Sequence, residues 1–249
     1  MFFPERIKGI KDGYHVLEIG PGATPHPQAH VFLEKRYLSE EDYIRQCGGL
    51  RVNGKDSRIV FFDGGRFPFD DAEFDYVICS HVLEHVAEVE YFCSELFRVG
   101  KSGYLEYPLL YYEYVYDIPE HINLLKMRPG GLVYMPKREL PLDMFSDVQR
   151  FWFETLTAGY GDTVRDLAPL LMEGFEWFGP FVVRRAVSVG ELLNPKIKIV
   201  PKVDLSVRRS RKFSSRLLSA KNRMMGLLSK FRSYSLTKQP PEGRGSLFK

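Results

Sequence analysis

HVLEIGPGATP, residues 15–25, is the stretch on which the reading of this chain turns. Val16, Leu17 and Ile19 make an apolar strand, Glu18 interrupts it, and Gly20-Pro21-Gly22 bends the backbone where the strand ends. Glycines at both turn positions omit the side chains that would hold a small molecule off the backbone. The turn is therefore suited to ligand contact at the carboxyl edge of a parallel sheet. A Gly-x-Gly turn by itself also ends ordinary strands, so the sequence around it decides.

Apolar runs and their punctuation predict strands near residues 15–19, 31–34, 58–62, 75–79 and 103–107, with helices between most of them. Ser39 ahead of Glu40, Glu41 and Asp42 reads as a helix N-cap with acids in the first turn, and Gly48-Gly49 closes that helix. Val89, Phe92, Cys93, Leu96, Phe97 and Val99 form a helical stripe over residues 88–99, broken at Gly100. Alternation of this kind predicts an α/β fold, a doubly wound and mostly parallel sheet. Pro25 and Pro27 follow the first strand. Proline inside a helix costs about 3 kcal/mol, so a shortened turn is expected there in place of a helix.

Past residue 108 the chain is rich in aromatics, and RPGGLVYMPK predicts a hairpin around Pro129, Gly130 and Gly131. Residues 163–173 read as a helix. WFGPFVVRRAVSV, from Trp177, reads as the late strand or strands that close the sheet.

The blocks HVLEIGPGATP, RIVFFDGGRFPFDDAEFDYVICSHVLEHV (58–86) and YFCSELFRVGKSGYLEYP (91–108), in this order and spacing, resemble class I S-adenosylmethionine-dependent methyltransferases. The subgroup most resembled contains the ubiquinone and menaquinone biosynthesis enzymes. The resemblance covers residues 14–108, fades beyond them, and implies a Rossmann-like fold with S-adenosyl-L-methionine as cofactor.

Glu18, Gly20, Pro21 and Gly22 match the family's first motif, which implies that the acid and the turn backbone hold the cofactor's amino-acid end. Glu34 ends the strand VFLE, where nucleotide-binding sheets place an acid whose two oxygens suit two ribose hydroxyls. Asp63 matches the family's adenine-binding acid, with Gly64 offering backbone beside it. Ser80 and His81 follow the fourth strand, where the backbone is expected to border the methyl group. HVLEH also fits the H-x-x-E-H pattern of inverted zinc proteases, in which His81 and His85, at i and i+4 on a helix, would chelate zinc. Directly after the strand FDYVICS it reads instead as cleft backbone. Glu84 and His85 are taken as structural, and no metal ligand is assigned. His121, in PEHINLL after the fifth strand, is the candidate acceptor-side base, since its ordinary pKa near 6.5 suits proton removal at neutral pH. Tyr107, Tyr111, Tyr112, Tyr114 and Tyr116 either wall the acceptor pocket or pack a loop.

A chain of 249 residues, 44% hydrophobic, buries a sizeable core. No apolar run is long enough to span a bilayer, and the opening MFFPERIKGIKDG carries proline and charge where a secretory signal would be apolar; a cytoplasmic location is expected. Cys47, Cys79 and Cys93 lack C-x-x-C spacing and suggest buried or idle thiols. Residues 1–200 are read as the methyltransferase domain and 201–249 as a basic, partly disordered tail. From Lys202 onward thirteen Lys and Arg face two acids, a net of +11 in a chain of +3, so residues 1–201 carry −8. Within the tail Phe213, Leu217, Ala220, Met224, Leu228 and Phe231 recur at helical spacing among Lys and Arg. An amphipathic cationic helix is expected, with peripheral anionic membrane contact through residues 208–232 and no specific nucleic acid.

The leading function is methyl transfer to a small-molecule or a lipid- or glycan-linked acceptor. Two alternatives are weighed against it: a catalytically idle fold recruited by its tail, and a nicotinamide-dependent oxidoreductase. Pro25 counts against the latter, since it stands where G-x-G-x-x-G needs its last glycine.

Overall fold

The computed structural model describes residues 1–22, 25–36, 39, 58–157 and 161–194, all within the compact unit Met1–Pro195. The helix expected after Ser39, together with Cys47 and the basic tail, lies outside the described residues.

All five early strands form where the apolar runs predict: β1 Val16–Ile19, β2 Val31–Lys35, β3 Arg58–Phe62, β4 Tyr76–Ser80 and β5 Ser102–Pro108. They build a sheet of order β3-β2-β1-β4-β5-β8, in which β8 is Met172–Phe178. The first five run parallel, and β8 runs antiparallel to β5 with Ser102 opposite Phe178. This is the 3-2-1-4-5-6 order of doubly wound nucleotide-binding sheets with the last strand reversed, so the expected fold class is borne out. Every residue of β1 is buried, including Glu18, as befits a strand covered on both faces. The direction of the strand order reverses between β1 and β4, and at such a switch point a crevice opens at the carboxyl ends of the strands. Residues 25–30 contain turn and no helix, as the prolines require.

Helix α1, Val89–Val99, buries Val89, Phe92, Cys93, Leu96 and Val99 on one face. A Cβ at Gly100 would stand 2.3 Å from Val77 Cγ2, so the helix end meets β4 only with glycine there. Glu95 is buried on the same helix because it has partners. Its carboxylate accepts the Phe67 N–H at 2.7 Å and a bidentate pair from Arg98, which also donates to the Phe67 and Phe69 carbonyls. This clamp ties α1 to the loop that follows Asp63 and Gly64.

The hairpin forms as β6 Asn123–Arg128 and β7 Gly131–Pro136. Helices α2 Leu110–Tyr116, α3 Ser146–Thr157 and α4 Gly161–Leu171 surround it in sequence. The late strands differ from expectation in two ways. The strand closing the main sheet begins at Met172, directly after α4 with no turn residue between, so residues 172–173 are strand where helix was expected. Val183–Arg185 forms β9, which leaves that sheet after Gly179-Pro180 and pairs parallel with β7 in a second sheet of order β6-β7-β9. Cys79 and Cys93 are buried free thiols, and no helix among the described residues is long and apolar enough to cross a membrane.

Candidate functional site

A cleft of about 980 Å³ opens at the carboxyl ends of β1 to β4, at the upper end of the range for small-molecule sites. All ten residues singled out from sequence line it: Glu18, Gly20, Pro21, Gly22, Glu34, Asp63, Gly64, Ser80, His81 and His121.

The floor is the glycine turn. Gly20 and Gly22 have φ of 60° and 55°, a region L side chains rarely adopt, and a Cβ on Gly20 would stand 2.8 Å from Val82 Cγ2. At Gly22 no described residue lies within 4 Å of where a Cβ would stand, so its backbone is open to the cleft. Glu18 is only 3% exposed, a carboxylate enclosed at the base of the cleft and not a solvated loop acid. Burial pushes its pKa up to about 7, although its carboxylate accepts the His26 N–H at 2.7 Å. Glu34 is buried at the end of β2 and accepts the Lys35 N–H at 2.9 Å. Asp63 is exposed at the rim, 3.7 Å from Arg36 Nε.

Beyond β4 the chain turns sharply. His81 has φ of 57°, strain of about 1–3 kcal/mol for a residue that is not glycine, and its ring is held on both sides. Its Nε2 is 3.0 Å from Glu106 Oε1 and its Nδ1 is 3.3 Å from Glu84 Oε1. Burial lowers the pKa of this imidazole, but the two carboxylates outweigh burial and hold it at about 9. Glu106, on β5, is a hub that the sequence reading passed over inside GYLEYP. It also accepts from the Ser80 hydroxyl, the Tyr104 hydroxyl and the backbone N–H groups of Phe2 and Phe3. Burial raises its pKa, and these donors together with His81 bring it down to about 2.

The segment after His81 is a 3-10 turn, Leu83–His85, and not an α-helix. The i, i+4 pairing of His81 with His85 is therefore absent. Asn123 Nδ2 donates to the Leu83 and Val86 carbonyls, and the Ile122 N–H donates to the Glu84 carbonyl, so the start of β6 clamps this turn. That clamp brings His121 beside it: the rings of His85 and His121 pack edge to face, centroids 4.7 Å apart. His121 Nδ1 contacts Glu113 Oε1 at 2.5 Å, and Lys137 Nζ neutralises Glu113 at 3.0 Å. Glu84 is fully buried, and neither carboxylate oxygen has a hydrogen-bond partner among the described residues.

Of the five tyrosines from Tyr107 to Tyr116, Tyr112 lines the cleft. Tyr107 and Tyr116 are buried in the core, Tyr111 Oη accepts the Asn194 N–H, and Tyr114 is half exposed. The roles of Glu106 and Glu113 had no local signature, because each depends on partners distant in sequence.

Residues 41–105 match a family described as a methyltransferase domain. The sterol 24-C-methyltransferase of Schizosaccharomyces pombe is 34% identical over 102 residues, which is 38% of this chain and 27% of that protein. The chain thus spans about a quarter of the length of that relative. Among solved structures, the YcgJ protein of Bacillus subtilis is 20% identical over 45% of this chain and 56% of its own, with a TM-score of 0.33. The trans-methyltransferase CalH, solved with SAH, is 17% identical over 39% and 32%, with a TM-score of 0.28. The family match and the sheet order support a class I methyltransferase, with S-adenosylmethionine as its cofactor.

Proposed function

We propose that this chain transfers a methyl group from S-adenosylmethionine to a small-molecule or a lipid- or glycan-linked acceptor. The observation that carries the reading is the Gly20–Gly22 turn, whose bare backbone opens into a cleft of about 980 Å³ with Glu18 and Glu34 buried along it. That cradle suits an extended nucleoside cofactor, since both turn glycines line the cleft and the Cβ position of Gly22 meets no described residue within 4 Å. When bound, S-adenosylmethionine supplies an activated methyl group on a sulfonium. Glu18 and the turn would hold its amino-acid end, Glu34 its ribose hydroxyls, and Asp63 and Gly64 its adenine. Ser80 and His81 form the rim where the methyl is presented.

The protein's main contribution would be alignment and exclusion of water, an effect that can supply about 7–11 kcal/mol of a barrier. His121 lines the cleft beside the Leu83–His85 turn, held through Nδ1, with Nε2 left to take a proton from the acceptor. The resemblance to quinone-biosynthesis enzymes and the sterol named for the yeast relative both favour an apolar small molecule. For the tail we retain anionic membrane contact through residues 208–232; sedimentation with anionic vesicles at low and high salt tests it. The acceptor is sought by mass spectrometry of metabolite and lipid extracts incubated with enzyme and S-adenosylmethionine. A species that gains one methyl only with enzyme supports the proposal; extracts unchanged, with labelled cofactor intact, would overturn it.

A further inference from the structure

Glu84, His85 and His121 bring three potential metal-ligand atoms within 4.8 Å of one another on the cleft wall. Their hydrogen bonds define which atoms face inward. His85 Nδ1 lies 2.9 Å from the Glu120 carbonyl, which only accepts, so Nδ1 carries the proton and Nε2 a lone pair. His121 Nδ1 is bonded to Glu113, a carboxylate already paired with Lys137, so Nε2 is the ring nitrogen left to face Glu84. Both Nε2 atoms stand 4.0 Å from Glu84 Oε1. His81 Nδ1 is 3.3 Å from the same oxygen but outside hydrogen-bonding alignment.

Two imidazole Nε2 atoms thus face a fully buried carboxylate whose oxygens accept no aligned hydrogen bond among the described residues, His81 Nδ1 at 3.3 Å being its nearest cationic neighbour. The His81 imidazole offsets part of that buried charge, and the open side of the carboxylate, flanked by the two imidazoles, suits a further cation. In a tetrahedral site with bonds of about 2.0–2.2 Å the ligand atoms stand about 3.3–3.6 Å apart, so the 4.0 Å spans must close by about 0.5 Å on binding. A histidine that ligates a metal usually donates its other ring nitrogen to a carboxylate or a carbonyl, and here His121 does the first and His85 the second.

We propose that Glu84, His85 and His121 bind one divalent transition-metal cation, of the Zn2+ or Co2+ type, on the acceptor side of the cleft. Mixed imidazole and carboxylate donors suit that class of ion, and three protein ligands leave a position open toward the cleft. An acceptor hydroxyl bound there loses its proton to water more readily. With the ion bound, His121 Nε2 is a ligand and no longer the base.

The test is a Co2+ titration of chelator-treated full-length protein, followed by calorimetry and visible absorption, repeated with Zn2+. One ion per chain is expected. Glu113→Gln should weaken binding about 10–100-fold, as loss of a partner to a ligating histidine does, and His85→Asn and His121→Asn by more, in variants whose circular dichroism matches wild type. The wild-type titration stands even if a variant fails to fold. No stoichiometric Co2+ or Zn2+ at millimolar concentration would overturn the site, as would wild-type affinity in both histidine variants. S-adenosylhomocysteine is titrated into the same metal-free protein. Cofactor binding without ion binding overturns the metal site alone; ion binding without cofactor binding overturns the methyl-transfer reading alone.

Discussion

His81 Nε2 lies 3.0 Å from Glu106 Oε1, and the same oxygen accepts the Phe2 N–H at 2.6 Å. One buried acid on β5 thereby fixes both the strained rim of the cleft and the N-terminal segment packed on it, where the Phe2 and His81 ring centroids are 5.3 Å apart.

Glu106 should therefore be a stability centre. Its folded pKa, about 2 against an ordinary 4.5, stabilises the fold above pH 4.5, and that contribution is lost as pH falls through about 2. The shift corresponds to about 3 kcal/mol. Urea unfolding at pH 7 should show Glu106→Ala destabilised by about 3–5 kcal/mol, the range for breaking a buried pair. A loss under 1 kcal/mol would mean that its five donors find other partners.

Glu18 runs the opposite way. Burial raises its folded pKa from 4.5 to about 7, so its contribution to stability is complete below pH 4.5 and is lost as pH rises through about 7. The loss is about 3 kcal/mol by pH 8. A cationic amino group arriving beside it favours the ionised form, so S-adenosylhomocysteine affinity should rise between pH 6 and pH 8. Glu18→Gln is expected to flatten both profiles, measured by chemical denaturation and by calorimetry. Unchanged slopes in the mutant would move the titrating group elsewhere.

Gly20→Ala introduces a Cβ at φ of 60° and 2.8 Å from Val82 Cγ2. The left-handed conformation alone costs about 1–2 kcal/mol. Thermal melts should show that loss, and cofactor affinity should fall with it because the turn backbone must shift. A mutant with wild-type affinity would show that the turn is not the cradle.

Glu34→Ala should weaken S-adenosylhomocysteine binding by about 1.5–3 kcal/mol, the range for hydrogen bonds to charged groups, in a folded protein. Full affinity in the mutant would place the ribose contact away from β2.

The sheet was legible because its strands are short apolar runs ended by Gly, Pro or acid, from VLEI in β1 to YLEYP in β5. The positions of Glu18, Glu34 and Asp63 on the cleft were legible for the same reason: each lies at or near the carboxyl end of a strand, so its place follows from the strand. The late chain was less readable. Leu171 passes straight from α4 into Met172 of β8, and VRR joined a second sheet whose other strands lie some fifty residues upstream. Side-chain convergence was the least legible feature of all. Nothing local in Leu83–His85 indicates that Asn123 draws His121 against Glu84 and His85.

The most direct test of the central reading is calorimetric titration of the full-length protein with S-adenosylhomocysteine, S-adenosylmethionine and NAD. The expected result is one site per chain for the first two ligands, none for NAD, and weaker binding in Glu34→Ala. Binding of NAD alone, or of none of the three by folded protein, would contradict it.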